Sequence, residues 1–201
     1  MIIEMYIGKS YHTYIDKINQ GSAIIDIGAN IGVFSIFAAK KLNGDCKIFA
    51  FEPFEDNFRI LSDNIKLNSV SDCIIPQNIA VASSNGESIL FIDEADNAMH
   101  SLISKGTKKV AVKTISLSTI FADNKINSCG FLKVDCEGAE YDILLNTPPD
   151  ILNKINIISI EYHKAAGHNH NELVSLLKSN GFDVTLNESS VEGFGYINAI
   201  S

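Results

Sequence analysis

The sequence predicts a three-layer α/β fold around a mostly parallel sheet. Three observations carry this expectation. Several runs are apolar throughout rather than alternating, as in "SAIIDIG" (22–28), "KIFAF" (47–51), "GFLKV" (130–134) and "NIISI" (156–160). Strands buried on both faces read this way, and parallel sheets covered by helices are where such strands occur. Segments of helical period lie between these runs. The last two strand-like segments follow each other without a helix, which predicts a closing hairpin and one antiparallel strand.

Taken in order, 22–28 reads as a buried strand and 31–43 as a helix closed by Gly44. A second strand, 46–53, ends at Pro53. Residues 55–68 carry apolar side chains at Phe58, Leu61 and Ile65, close to helical spacing. The stretch 73–83 reads as a third strand region. After an Asn85-Gly86 turn, 87–94 looks like one arm of an inserted β-hairpin, with 108–117 as its partner. A short Ser-capped helix is expected at 116–124, and a fourth main strand at 130–138. A helical stretch with a Pro-Pro interruption spans 139–155. The fifth strand is 156–163, a helix with a glycine stop follows at 170–182, and 183–189 and 194–200 close the sheet.

The chain has 201 residues, 46% hydrophobic, enough for one domain with a substantial core. One domain over 1–201 is expected, with 1–20 as a lead-in. The formal net charge is −8 and no basic run stands out, so a sequence-independent grip on nucleic-acid phosphates or an anionic membrane surface is not expected. The N-terminus lacks a basic start followed by a long apolar core, so it does not read as a signal peptide. Cys46, Cys73, Cys129 and Cys136 show no CxxC spacing and predict free thiols in a reducing, cytoplasmic compartment.

Ligands of open α/β sheets bind outside the carboxyl ends of the strands. Here those ends carry Asp26, Glu52, Asp135, Glu161 and His163. The first strand runs into Gly28-Ala29-Asn30-Ile31-Gly32-Val33. A nicotinamide-binding loop wants G-x-G-x-x-G, so that backbone can approach a pyrophosphate. Asn30 and Val33 replace the second and third glycines, which suits a ligand without phosphate. Gly28 and Gly32 are expected to leave room for a nucleoside and an amino-acid tail. Asp26 suits an ammonium or an ordered water. Glu52, which ends the next strand, can accept both hydroxyls of a ribose.

"DIGANIG", "FEP", "KVDCEGAE" and the following "IEYH", in this order, resemble the FkbM family of S-adenosylmethionine-dependent methyltransferases over about residues 20–200. The resemblance implies a seven-stranded Rossmann-like sheet, S-adenosylmethionine as methyl donor, and O-methylation of a sugar or small-metabolite hydroxyl. On that reading Asp26, Gly28, Asn30 and Gly32 hold the amino-acid end of the donor, and Glu52 with Pro53 holds its ribose. Asn78 and Ala80 flank its adenine, and Asp135 faces its methyl. Asn78 also reads as a plain turn or cap.

Methyl transfer to a hydroxyl needs alignment and a proton acceptor. Asp135, His163 and Glu161 are the candidates, with Lys133 beside them. His163 is expected to titrate nearest neutral pH. Lys133 also reads as a structural ion-pair partner, and Glu140 as a capping carboxylate at a helix start. Asp135, Glu161 and His163 could ligate a divalent cation, but no spacing rule supports it, and no metal set is expected. The loops 163–170, holding three of the five histidines, and 93–102, with Met99 and His100, are candidate acceptor walls. With no separate capping domain, the acceptor cleft is expected to be open or completed by a second copy. Two rival readings are a nicotinamide-dependent oxidoreductase and a non-catalytic donor-binding domain.

Overall fold

In the computed structural model, residues 12–92, 100–101 and 108–201 are described. Its axis is β1 (Ala23–Ile27), paired in parallel with β2 (Lys47–Phe51) on one side and β8 (Cys129–Val134) on the other. β3 (Ile74–Gln77) extends the sheet beyond β2, and β9 (Ile157–Tyr162) extends it beyond β8. The chain closes with β10 (Asp183–Glu188) and β11 (Gly195–Ile200). The resulting seven-stranded order is β10-β11-β9-β8-β1-β2-β3. β11 runs antiparallel to both of its neighbours, which makes it the one reversed strand.

Strand alternation divides the core into two layers. Ile25, Ile27, Leu132, Val134, Ile158 and Ile160 enter one cluster. Ile24, Ile48, Phe131 and Ile157 enter the other, where Phe34 stacks on Phe131 with ring centroids 5.5 Å apart. Because both of their faces are covered, the central strands β1, β2, β8 and β9 are mostly apolar, as the sequence predicted, with Asp26 and Lys133 the buried charges among them. The second layer rests on α2 (Val33–Lys41) and α3 (Glu55–Leu67), which supply Ala38, Ala39, Leu61 and Ile65. It also receives Ile15 from α1 (His12–Ile15), a short helix within the expected lead-in. The first layer receives α4 (Leu117–Asp123), α5 (Glu140–Leu145), α6 (Pro149–Leu152) and α7 (His170–Ser179). Ser116 caps α4 by accepting from Thr119 N–H, and Pro148-Pro149 separates α5 from α6, both as expected.

Two elements differ from expectation. The region 73–83 is two strands: β3 stays on the main sheet, while β4 (Ala80–Val81) belongs to a second sheet. Asn78 makes the break, donating its side-chain amide to the carbonyls of Glu52 (3.0 Å) and Pro53 (3.1 Å). The inserted hairpin is larger than two strands. β5 (Gly86–Ile92) and β7 (Lys108–Ile115) pair antiparallel, β6 (His100–Ser101) flanks β5, and β4 runs parallel to β7. Most of the predicted 93–102 loop, including Met99, and the first eleven residues lie outside the described residues. No helix among the described residues is long and apolar enough to cross a membrane.

Candidate active site

A cavity of about 290 Å³ opens at the carboxyl ends of β1, β2, β8 and β9. Ile27, Phe51, Ala80, Val81 and Leu90 form an apolar wall, the last three from the second sheet. Gly28, Asn30, Glu52, Pro53 and Asn57 line the side below α2 and α3. Asp135, Cys136, Glu137 and Glu161 line the side formed by β8 and β9.

Glu52 is the most tightly held group on this wall. Its Oε2 accepts from Asn30 N–H (2.8 Å) and its Oε1 from Phe54 N–H (2.9 Å). A carboxylate has about four acceptor positions, so each oxygen keeps capacity for one more donor. Burial pushes the Glu52 carboxyl up to about 7, against the pull of those two N–H groups. Asn30 reaches this position with φ 50°, and its Oδ1 accepts from Ile31 N–H at 2.8 Å. Two backbone donors at the start of α2 are thereby engaged within the loop.

Asp26 is fully buried and does not line the cavity. Its Oδ2 accepts from Ser35 Oγ at 2.6 Å, and its Oδ1 lies 3.4 Å from Lys133 Nζ. Lys133 is also buried; it reaches Asp135 Oδ2 at 3.0 Å and donates to the Gly28 carbonyl at 3.2 Å. This is the structural ion-pair reading of Lys133. Buried charges persist when they are paired and hydrogen-bonded, and here one ammonium ties β1, its loop and β8 together.

The glycines differ in what they do. Gly28 has φ 75°, and a Cβ there would overlap the carbonyl of Asp135. The space a side chain would need there is taken by the β8 end, while the Gly28 backbone itself lines the cavity. Gly32, at φ 90°, is buried against Leu61 of α3 and does not line the cavity. Asn78 is exposed and off the cavity wall, with its amide engaged in the turn after β2. Ala80 is on the wall.

At the other end, the turn after β8 places Glu137 at φ 55° and Gly138 at φ 109°. Glu140 closes it: Oε1 accepts from Cys136 N–H and Gly138 N–H, each at 3.1 Å, and from His163 Nδ1 at 2.9 Å. His163 Nε2 then faces Glu137 Oε2 at 3.4 Å and Glu161 Oε1 at 3.9 Å. Burial works to lower the His163 ring, but the hydrogen bond and charge of Glu140, then Glu137 and Asp135, carry it up to about 9. The ring therefore holds its proton at neutral pH, contrary to the expectation that it titrates there. Glu161 takes that place: burial, and then the Asp135 charge, push it up to about 7. Burial likewise pushes the Cys136 thiol well up, so it is no thiolate nucleophile at neutral pH. Asp135, Glu161 and His163 do come together, with one ligand-type atom from each within 4.8 Å of the others, a grouping able to hold a metal ion that their spacing in sequence does not announce.

Sequence reasoning missed Ser35, Asn57 and Leu90. Ser35 was recognisable only as a polar residue on a buried helix face. Leu90 gave no signal, because its place depends on how the second sheet docks.

A family profile, the Methyltransferase FkbM domain, matches residues 26–184. The chain belongs to the FkbM methyltransferase family. Among relatives of this FkbM-family chain, the hexuronic acid methyltransferase AglP of Haloferax volcanii is 28% identical over 165 residues, covering 81% of this chain and 64% of AglP. The 31-O-demethyl-FK506 methyltransferase FkbM of Streptomyces tacrolimicus is 24% identical, covering 90% of this chain and 80% of that protein. The crystal structure of the FkbM methyltransferase from Methylobacillus flagellatus superposes with a TM-score of 0.59 at 14% identity, over 89% of this chain and 43% of that one. The chain thus spans about two thirds of the archaeal relative's length and less than half of the Methylobacillus chain. TrmK of M. capricolum, solved with S-adenosyl-homocysteine, shares the fold at a TM-score of 0.53 and 14% identity, over 94% of this chain and 66% of that one.

Proposed function

We propose that this FkbM-family chain transfers the methyl group of S-adenosylmethionine to a hydroxyl oxygen of a sugar or small metabolite. The observation that carries the reading is the cradle around Glu52. Its carboxylate is fixed by two backbone N–H groups at the cavity edge and keeps acceptor capacity for a vicinal diol. The same contacts favour this donor over a nicotinamide dinucleotide. Asn30 N–H and Ile31 N–H, which a pyrophosphate would need, are already engaged by Glu52 and by the Asn30 side chain.

In this reading Glu52 accepts the ribose hydroxyls, and Phe51, Ala80, Val81 and Leu90 enclose the base. Asp135 lies toward the transferred carbon. The donor, when bound, supplies an electrophilic methyl on a sulfonium centre. The chain then has two tasks: holding donor and acceptor in line, and receiving the hydroxyl proton as the bond forms. Glu161 suits the second task, because it lines the cavity and titrates at about 7. His163 stands behind it as a half-buried cation that limits how far Glu161 is raised. Lys133 keeps Asp135 and Gly28 in register. The name of AglP, a hexuronic acid methyltransferase, supports the carbohydrate class of acceptor.

Titration calorimetry with S-adenosylmethionine and with a nicotinamide dinucleotide separates donor from rival cofactor, and binding of the dinucleotide alone would overturn the reading. Transfer of labelled methyl to a panel of glycosides and small hydroxyl metabolites tests the acceptor class. Donor binding without transfer to any acceptor would favour a non-catalytic donor-binding domain.

A further inference from the structure

We infer that Glu140 is a positioning residue for the acceptor end, fixing through one carboxylate oxygen both the turn that presents Asp135 and Glu137 and the orientation of the His163 ring. The inference deepens the methyl-transfer reading and rests on it for the meaning of the site.

The sequence suggested only a helix cap for Glu140, since a carboxylate in a first turn suits the helix dipole. The geometry asks for more. Glu140 is fully buried, and three donors converge on Oε1: Cys136 N–H, Gly138 N–H and His163 Nδ1. Its Oε2 is buried with no hydrogen-bond partner among the described residues. A cap needs no such burial. Burying a carboxylate with one oxygen unmatched is costly unless a cation balances its charge, and the His163 imidazolium is the cation in contact.

The arrangement adds a polar link at the ends of β8 and β9, two strands that also pair through their backbones and share one apolar cluster. The turn after β8 runs through two left-handed residues, Glu137 and Gly138, the first of which lacks the freedom of glycine. Two N–H groups bound to one oxygen hold that turn closed. The third donor belongs to His163, just past β9 and 23 residues further along the chain. With Nδ1–H directed at Glu140, the ring must aim Nε2 at Glu137 and Glu161. The groups facing the ring are therefore Glu140 from α5, Glu137 from the turn, Glu161 from β9 and Asp135 beyond β8, with the Phe194 ring on another side, 5.5 Å between centroids. Truncating or neutralising Glu140 would disturb the pair that lines the cavity without removing any group from the cavity wall.

The test uses the full chain labelled with ¹⁵N-histidine. In the parent, one Nδ1–H signal exchanges slowly with water, and the same ring keeps its proton past pH 8. Its absence in the parent would overturn the inference. In Glu140→Gln, the side-chain amide cannot balance the ring's charge, so the His163 titration is expected to fall by at least one pH unit while the dissociation constant for S-adenosylmethionine stays within threefold. In Glu140→Asp, which keeps the charge on a shorter arm, the titration should lie between the two. A His163 titration unmoved in both variants would refute the role even if their thermal stability fell. If the parent fails to bind S-adenosylmethionine, the proposed function fails, and the titration still decides the positioning.

Discussion

Replacing Glu52 with Gln should move stability and donor affinity in opposite directions. The side chain is 4% exposed, and its folded-state value of about 7 stands against an ordinary 4.5. An acid whose value is raised on folding favours the fold fully below its unfolded value. That advantage is lost as pH rises through the folded one. Between pH 4.5 and 7 the carboxyl must therefore ionise at a cost to the fold, reaching roughly 3 kcal/mol by pH 8. Gln removes that cost. It keeps one acceptor oxygen for the Asn30 or Phe54 N–H and presents an amide to the other, a mismatch worth about 1–2 kcal/mol. At pH 8 the variant without donor should be more stable by about 1–2 kcal/mol, or roughly 3–6 °C in a chain of this size. At pH 4.5 only the mismatch remains, and the variant should be the less stable protein. Donor binding should weaken by about 1–3 kcal/mol at pH 8, because the charged acceptor for the ribose is gone. Denaturation at the two pH values and calorimetry with S-adenosylmethionine read all three quantities. A variant less stable than the parent at pH 8, or one binding donor as tightly, would refute the assignment of a buried, donor-facing carboxylate.

Other outcomes follow from the same geometry. Gly28→Ala should destabilise the fold by several kcal/mol in chemical denaturation, since its Cβ overlaps the Asp135 carbonyl at φ 75°; a variant of unchanged stability would mean the β1 turn differs from the one described. Methyl transfer should rise with pH through about 7 as Glu161 ionises, and the Glu161→Gln variant should lose that limb and at least tenfold in rate; a parent rate flat from pH 6 to 8 would dismiss Glu161 as base. Asp135→Asn and His163→Ala should each keep donor affinity within about threefold and lower the single-turnover rate at least tenfold, whereas parent-like rates in both would place the chemistry elsewhere.

The main sheet was legible because its central strands are buried on both faces, which writes a largely apolar run into each of β1, β2, β8 and β9. The break between β3 and β4 was not. It depends on Asn78 reaching back to the Glu52 and Pro53 carbonyls, contacts 26 and 25 residues apart in sequence. At the site, Glu52 and Asn30 could be read from their places at strand ends, but Asp26 could not be told from a ligand-facing acid. Its direction is set by Ser35 and by Lys133, more than a hundred residues away. Glu140 looked like a cap for the same reason: its decisive partner, His163, is on another strand. Spacing in sequence reports local geometry, while the pKa of His163 is set by burial against three carboxylate-bearing residues, Glu140, Glu137 and Asp135, that only the folded chain assembles.

The cavity wall has two owners, and this has a thermodynamic consequence. Ala80, Val81 and Leu90 belong to the second sheet, while Ile27 and Phe51 belong to the first. A molecule seated between them acts as a wedge whose apolar contacts count only while the two sheets stay together. At a hundred times its dissociation constant, such a molecule adds about 2.7 kcal/mol to whatever opening separates them. Slow amide exchange along β5 and β7 is thus a gauge of occupancy read from strands that carry none of the polar groups around Glu52, Asp135 and Glu161.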